Sequence, residues 1–453
     1  MDNVRIAVDV GGTFTDIALE HAEGMTTKKV LTTPDKPEEG VLSGIQSTLT
    51  EANISPSEIK ILIHGTTLAT NALIERKGAK VALITTEGLR DSVEMAQENR
   101  FEQYDINIDR PKPLVPRYLR WGIRERMNVN GEVLIQLEDK SIEQLLPMID
   151  KNQIEAIAIG LIHSYANSMH EEKIAERLSA ARPDLSITLS SQVCPEIREY
   201  ERQSTACANA YVQPLMSRYL TKLDEALQSM GFMCPFLLMT SGGGLTTLDT
   251  SIKFPVRLVE SGPAGGAILA TEIAKECGID NVLSFDMGGT TAKICLIDDY
   301  TPQMTRTFEV ARVYRNLKGS GLPLRIPAIE MVEIGAGGGS IAKVDDMKRI
   351  SVGPESSGAS PGPACYGQGG LDATVTDADV ILGRIDPKDF AGGAVKLAPE
   401  KADLVLQKAV GDQLSLDSSL SAFGVSEIVD ENMANAASCL LYTSDAADDW
   451  SSG

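Results

Sequence analysis

The sequence predicts an α/β fold of two lobes, each carrying a mixed sheet in the order β-β-β-α-β-α-β. Two observations lead there. Apolar strand runs and amphipathic helical spacing follow one another in that order over the first 90 residues, and a strand-turn-strand unit from this stretch recurs near residue 285. Three strands in succession before the alternating units distinguish the pattern from plain parallel alternation. At about 100–200 residues per domain, 453 residues leave room for several domains.

The elements read in order as follows. Residues 4–10 are an apolar strand, Gly11-Gly12-Thr13 turns the chain, and 14–19 and 26–32 return as strands. Pro37-Glu38-Glu39 opens a helix with Val41, Leu42, Ile45 and Leu49 on one face. A short buried strand over 59–63, a helix over 68–77 stopped by Gly78 and a strand over 81–85 complete the first unit. Residues 100–135, rich in Arg and Pro, read as a surface excursion whose arginines (100, 110, 117, 120, 124 and 126) are solvated by default. Strands resume at 154–162 and 187–189, then come helices over 196–211 and 215–230, the second ended by Gly231. A β-rich block starts near Phe236, and a small-residue segment, 260–266, leads into a helix over 267–277. The expected lobes are 1–193 and 194–437. Residues 438–453 lack helical periodicity and read as a non-native tail.

Composition narrows the function. With 42 basic and 63 acidic side chains the net charge is −21, which repels phosphate backbones and argues against nucleic-acid binding. A local anion site built from backbone amides stays open. Apolar runs such as 156–162 fall well short of the roughly 20 residues that span a bilayer, so no membrane partner is expected. Seven scattered cysteines with no C-x-x-C and no secretory leader point to reduced thiols in the cytoplasm.

The repeat carries the chemistry. Val8-Asp9-Val10-Gly11-Gly12-Thr13 recurs as Phe285-Asp286-Met287-Gly288-Gly289-Thr290, each between two strand runs. A strand that delivers Asp to its end offers a carboxylate to magnesium or its water. Paired glycines let turn amides approach phosphate oxygens, and the threonine adds a hydroxyl donor. One such copy reads equally well as a hairpin turn. Two copies in matching context favour a nucleoside triphosphate held between them.

Other residues remain open between two readings. His64, at a strand end before Gly65-Thr66-Thr67, either orients or protonates a substrate or caps its turn. Segment 260–266, with Gly262, and segment 335–340, with Gly337 and Gly338, serve either ligand contact or tight packing. Cys365 has no histidine motif placed to activate it and reads as a structural thiol, and Asp377 and Asp379 as capping or surface carboxylates.

These segments, with Asn71-Ala72, Thr240-Ser241-Gly242-Gly243-Gly244, 286–293, 334–342 and 361–367, resemble the hydantoinase A/5-oxoprolinase family in one register from about residue 4 to 437. That family belongs to the superfamily of actin, sugar-kinase and heat-shock-chaperone ATPases. The resemblance implies an actin-like (ribonuclease H-like) fold with a nucleotide cleft between lobes, using ATP and Mg2+ or Mn2+. It implies ATP-dependent phosphorylation and opening of a cyclic amide of the 5-oxoproline or hydantoin type, alongside a second, hydantoinase B-type subunit. Asp9 and Asp286 would organise the metal, with His64 in the catalytic set. Gly11, Gly12, Thr13, Thr15, Asp16, Gly262, Gly288, Gly289, Thr290, Thr291, Lys293, Gly337 and Gly338 would contact the nucleotide, and Thr66, Thr67 and Asn71 the substrate. Lys293 stands where many relatives carry an acidic residue, so the half-sites differ chemically. Family chains also carry a later F-G-G-A-G-P segment that holds adenosine. Its absence here implies a partial adenine pocket, weak nucleotide affinity and poor solubility. The alternatives are the nucleotide-binding subunit of an acetone- or acetophenone-type carboxylase, and a chaperone-like reactivating ATPase.

Overall fold

The computed structural model describes residues 4–12, 14–33, 36–97, 101–108, 110–312, 319–391, 393 and 395–451, with side-chain environments through residue 442. Thr13 and Arg100, both singled out by the sequence, lie outside the described residues.

The first unit forms as the apolar pattern dictates. Strands β1 (Arg5–Val10), β2 (Phe14–His21) and β3 (Gly24–Leu31) pair antiparallel, followed by α1 (Pro37–Ala52). Next, β4 (Ile61–Thr66) lies parallel to β1, and α2 (Leu68–Ile74) leaves from its end. Helix α1 buries Val41, Ile45 and Leu49, the stripe its spacing announces.

The next strand departs from expectation. Strand β5 (Val81–Thr86) does not join this sheet. It pairs with β6 (Arg120–Ile123) and β7 (Ala156–Gly160), and β7 with β8 (Ser186–Leu189), in a separate all-parallel sheet. Every residue of β5 and β7 is buried, as in parallel strands covered on both faces. A continuous apolar run carries no mark of the sheet it belongs to, so sequence order stood in for sheet membership. Part of the supposed surface excursion is therefore core. Arg120 is buried and reaches Glu94 at 2.6 Å, while Arg117 pairs with Asp91 at 2.8 Å.

The expected pair of helices is one, α3 (Glu199–Met230), with Pro214 inside it. Proline removes one helical hydrogen bond. Here an unbroken buried run over 201–212 holds the first half in place against the parallel sheet. Strands β9 (Phe236–Met239) and β10 (Leu245–Thr247) then return to the first sheet, giving the order β10-β9-β4-β1-β2-β3. One apolar core runs from Val4 to Val259 and takes in Ile326, so packing does not part at 193/194.

Helix α4 (Ser261–Cys277) leads to the second hairpin, β11 (Val282–Met287) and β12 (Ala292–Asp298). Strand β12 also pairs with β13 (Thr301–Pro302) and β14 (Val332–Ile334). The second lobe does not repeat β-β-β-α-β-α-β. The described residues among 299–356 form strands of two to seven residues, and helices α5 (Val375–Ile381) and α6 (Ser418–Ser451) close a separate small core. The helical stretch continues through 438–451, because no Gly or Pro stops it after Gly424. No described helix is long and apolar enough to cross a membrane.

The two hairpins differ at one edge. Strand β1 is paired on both sides, whereas β11 pairs only with β12 among the described residues. Around this open edge Phe285, Ile273 and Leu269 are exposed. An unpaired apolar strand edge is a template for association. Phe285→Lys together with Ile273→Lys should reduce concentration-dependent scattering of the purified chain and leave its far-UV circular dichroism unchanged. Unaltered scattering would show that this edge is not where the chain associates.

Candidate active site

Strand β1 brings Asp9 opposite Asp16 of β2, and β11 brings Asp286 opposite Lys293 of β12. Asp9, Asp16, Asp286 and Gly262 line one cleft of about 860 Å³ between the hairpins. The walls next to Asp9 are built to be small. Gly65, its register partner on β4, would place a Cβ 2.5 Å from Asp9 Oδ1, and a Cβ on Gly262 would lie 3.2 Å from both carboxylate oxygens. The Ser261 hydroxyl fastens the start of α4 to the end of β4, accepting from Thr66 N–H and donating to Thr66 O, both at 3.2 Å. The small-residue segment thus serves packing and site together.

Asp9 is the focus of the electrostatics. Its Oδ1 is buried without a hydrogen bond. Burial first, then the charges of Asp16 and Asp286, push its pKa up to about 6 from 3.8, against a smaller pull from Lys29. Lys29 is paired with Asp16 at 2.5 Å. A carboxylate held like this fits a divalent cation, which would satisfy the unpaired oxygen and relieve the repulsion. Among the described residues no three His, Cys, Asp or Glu side chains form a closed ligand set. Magnesium usually takes one or two carboxylates and completes its shell with water and phosphate oxygens.

The turns supply amides unevenly. Gly11 N–H donates to Phe14 O and Gly288 N–H to Thr291 O, both at 2.9 Å, closing the two turns. Those two glycines shape the turns and spend their amides doing so. The amides of Gly12, Gly289 and Thr290 have no partner within the chain among the described residues, and all three residues are exposed.

Several expected contacts fall elsewhere. Thr15 is fully buried, its hydroxyl 3.1 Å from that of Thr32, so it supports the turn from behind. Lys293 is ion-paired with Glu260, the residue before α4, which commits its charge within the protein. Gly338 N–H donates to Gly288 O at 3.0 Å, Gly339 N–H donates to Gly289 O at 2.6 Å, and a Cβ on Gly337 would lie 2.7 Å from Gly288 O. Gly337 and Gly338 therefore buttress the second turn through backbone contact. Cys365 is buried, and burial raises its thiol pKa. Asp377 caps its own helix and accepts from Cys365 N–H at 2.8 Å.

His64 is not in the cleft. Its register partner is Val8, so it faces away from Asp9, toward α3. Its Nδ1 lies 3.2 Å from Val8 O and its Nε2 2.9 Å from the Tyr219 hydroxyl. Burial lowers its pKa to about 4. Thr66 and Thr67 are tied into the strand end, Thr67 Oγ1 donating to Val10 O at 3.0 Å, while Asn71 reaches back toward Gly12. Sequence reasoning missed Gly65, Glu260 and Tyr219. Only Gly65 had a signal, since it lies opposite Asp9 once β1 and β4 are paired.

This geometry is open to three tests. Because the folded pKa of Asp9 lies above 3.8, its contribution favours the fold at low pH and is lost as pH rises through about 6. Asp9→Asn should raise stability at pH 8 by on the order of 2 kcal/mol, with little gain at pH 4, in urea titrations. Wild-type affinity for a magnesium nucleotide should fall below pH about 6, as Asp9 takes up its proton. Separately, Gly337→Ala should cost about 1–3 kcal/mol by forcing the turn apart. Gly266→Ala, whose Cβ meets open space in a helix, should be neutral or stabilising.

Comparison with known proteins agrees with this architecture. Residues 202–444 match the Hydantoinase/oxoprolinase family and residues 5–181 its N-terminal region. The caprolactamase subunit alpha of Pseudomonas jessenii is 34% identical over 440 residues, covering 95% of this chain and 62% of that protein. The crystal structure of the ATP-dependent caprolactamase from that organism aligns with a TM-score of 0.77 at 32% identity, over 95% of this chain and 62% of the other. A nucleotide-free acetone carboxylase structure aligns with a TM-score of 0.80 at 27% identity, with the same coverage. The 5-oxoprolinase of Dictyostelium discoideum is 31% identical over 436 residues, covering 86% of this chain and 33% of that protein. The chain thus spans between a third and about three fifths of the length of these relatives. The two family matches lie in sequence along one chain, and the larger takes in more than half of it: this chain belongs to the hydantoinase/oxoprolinase family.

Proposed function

We propose that this chain is the nucleotide-binding part of an ATP-dependent enzyme that phosphorylates and opens a cyclic amide. The observation that carries this reading is that Asp9 and Asp286, one from each D-x-G-G-T repeat, line one cleft, with one Asp9 oxygen buried and unpaired. The caprolactamase and 5-oxoprolinase relatives support the substrate class. The two lobes are read as an actin-like arrangement. That the caprolactamase and carboxylase relatives are themselves named as subunits supports a partner here, which we read as B-type. The free, scattered cysteines support a cytoplasmic location.

The chemistry explains the architecture. A lactam carbonyl is resonance-stabilised, and its oxygen is a poor leaving group. Moving the γ-phosphoryl group onto that oxygen, with departure of the nucleoside diphosphate, gives an imidate-like phosphate that water attacks. Such transfers call for positioning and charge neutralisation more than for covalent help from the protein. In this chain the free amides of Gly12, Gly289 and Thr290 would hold phosphate oxygens. Asp9 and Asp286 would hold magnesium, which when bound supplies charge neutralisation. Lys293, committed to Glu260, would fix the start of α4.

A second reading, in which the same transfer would trap an enolate, rests on the acetone carboxylase likeness. Phosphate release from ATP, measured with the partner subunit present, separates the two. Stimulation by 5-oxoproline or hydantoin without bicarbonate, reduced at least about hundredfold by Asp9→Ala, is the expected result. Stimulation only by acetone with bicarbonate would favour the carboxylase.

A further inference from the structure

Each hairpin lays three charged side chains in a row across its sheet, and the rows differ in where the cation stands. In the first, Asp9 of β1, Asp16 of β2 and Lys29 of β3 are successive register partners, so all three project from one face. In the second, Asp286 of β11, Lys293 of β12 and Glu333 of β14 again join two carboxylates and one ammonium. The cation stands on the outer strand in the first row and on the middle strand in the second. Lys293, flanked by carboxylates on its own sheet, is also bound to Glu260 and lies 3.9 Å from Glu333.

The two lysines are held differently. The side chains of Lys293 and Glu260 are only 15% and 14% exposed, so their pair is closed to a ligand. Those of Lys29 and Asp16 are 39% and 50% exposed, and both line the Asp9 cleft. An ion pair so open to water contributes little to stability and exchanges partners at little cost. The Lys29 ammonium also lies 5.0 Å from the centre of the Phe14 ring. Phe14 in turn meets Phe390 edge-on, with ring centres 6.1 Å apart. This aromatic support restrains the lysine head without burying it. Its neighbour Lys28 belongs to the opposite face by strand alternation and pairs with Glu51 at 3.2 Å.

Resting on the ATP-dependent reading above, we propose that Lys29 is a further phosphate-binding residue, whose ammonium exchanges Asp16 for a polyphosphate oxygen when a magnesium nucleotide enters the cleft. The charge of the cleft supplies the reason. Asp9, Asp16 and Asp286 put three carboxylates on its wall. A magnesium triphosphate still carries net negative charge, so a fixed cation has to face it there. Lys293 is spent on Glu260, which leaves that part to Lys29. A charge-assisted hydrogen bond to phosphate is stronger than the half-exposed pair it replaces. Phe14 keeps the ammonium beside the row of Asp9 in either state.

The test is calorimetric titration of the 453-residue chain with magnesium and a non-hydrolysable ATP analogue. Lys29→Met keeps an apolar stem over Phe14 and removes the charge. It should weaken binding by about tenfold or more, whereas Lys29→Arg should retain most of the affinity and Lys28→Met should bind like wild type. The same Lys29→Met change in an Asp16→Asn background separates contact with phosphate from simple neutralisation of Asp16. The proposal requires a similar loss there. A loss that vanishes once Asp16 is uncharged, or a Lys29→Met chain that binds like wild type, would overturn the role of Lys29 and leave the ATP-dependent reading standing. Failure of the wild-type chain to bind the analogue would overturn that reading and this proposal with it.

Discussion

The structure depends on keeping one carboxylate buried and unsatisfied. Asp9 sits on a central strand paired on both sides, so backbone hydrogen bonds fix its position at the cleft wall. Glycine at 65 and at 262 leaves room beside it that no side chain fills, and the Ser261 hydroxyl keeps α4 at that distance. Desolvation and two neighbouring carboxylates make the ionised form costly. An arrangement that lowers the stability of the fold alone is sensible where a cation and a polyphosphate are to supply the missing charge.

The two hairpins share a motif and differ in support. The first is held from within its own sheet, with Thr15 and Thr32 behind the turn and β4 alongside. The second is held by a glycine loop from later in the chain, whose amides bind the turn's carbonyls. Its strand is open on one edge, and its Asp286 is exposed to the cleft. The same Asp and turn glycines are thus presented once by a finished sheet and once by a smaller, more open unit. Lys293 adds to the asymmetry by pairing with Glu260 and so linking the second hairpin to α4.

The sequence made the site more legible than the fold. A repeated D-x-G-G-T between strand runs fixes where each carboxylate stands relative to its turn, and both Asp9 and Asp286 line one cleft. Strand pairing was less legible. Strands β5 and β7 are apolar on both faces, so nothing in them says which sheet they enter. Strand β9 rejoins β4 from about 170 residues away, a pairing that no local pattern encodes. The same gap explains His64. Its place at a strand end was readable, but which face it took depended on the register with β1. Glycines at 337 and 338 were visible as a cluster. That they approach Gly288 closely required the tertiary structure.

The central claim is that the hairpins act as one nucleotide site. A double-mutant cycle measures this directly: affinity for a magnesium nucleotide in the wild type, Asp9→Asn, Asp286→Asn and the double variant. The account predicts strong non-additivity, with the double variant little weaker than Asp9→Asn alone, because losing one carboxylate already dismantles the shared cation site. Additive losses, or an Asp286→Asn variant that binds like wild type, would contradict it.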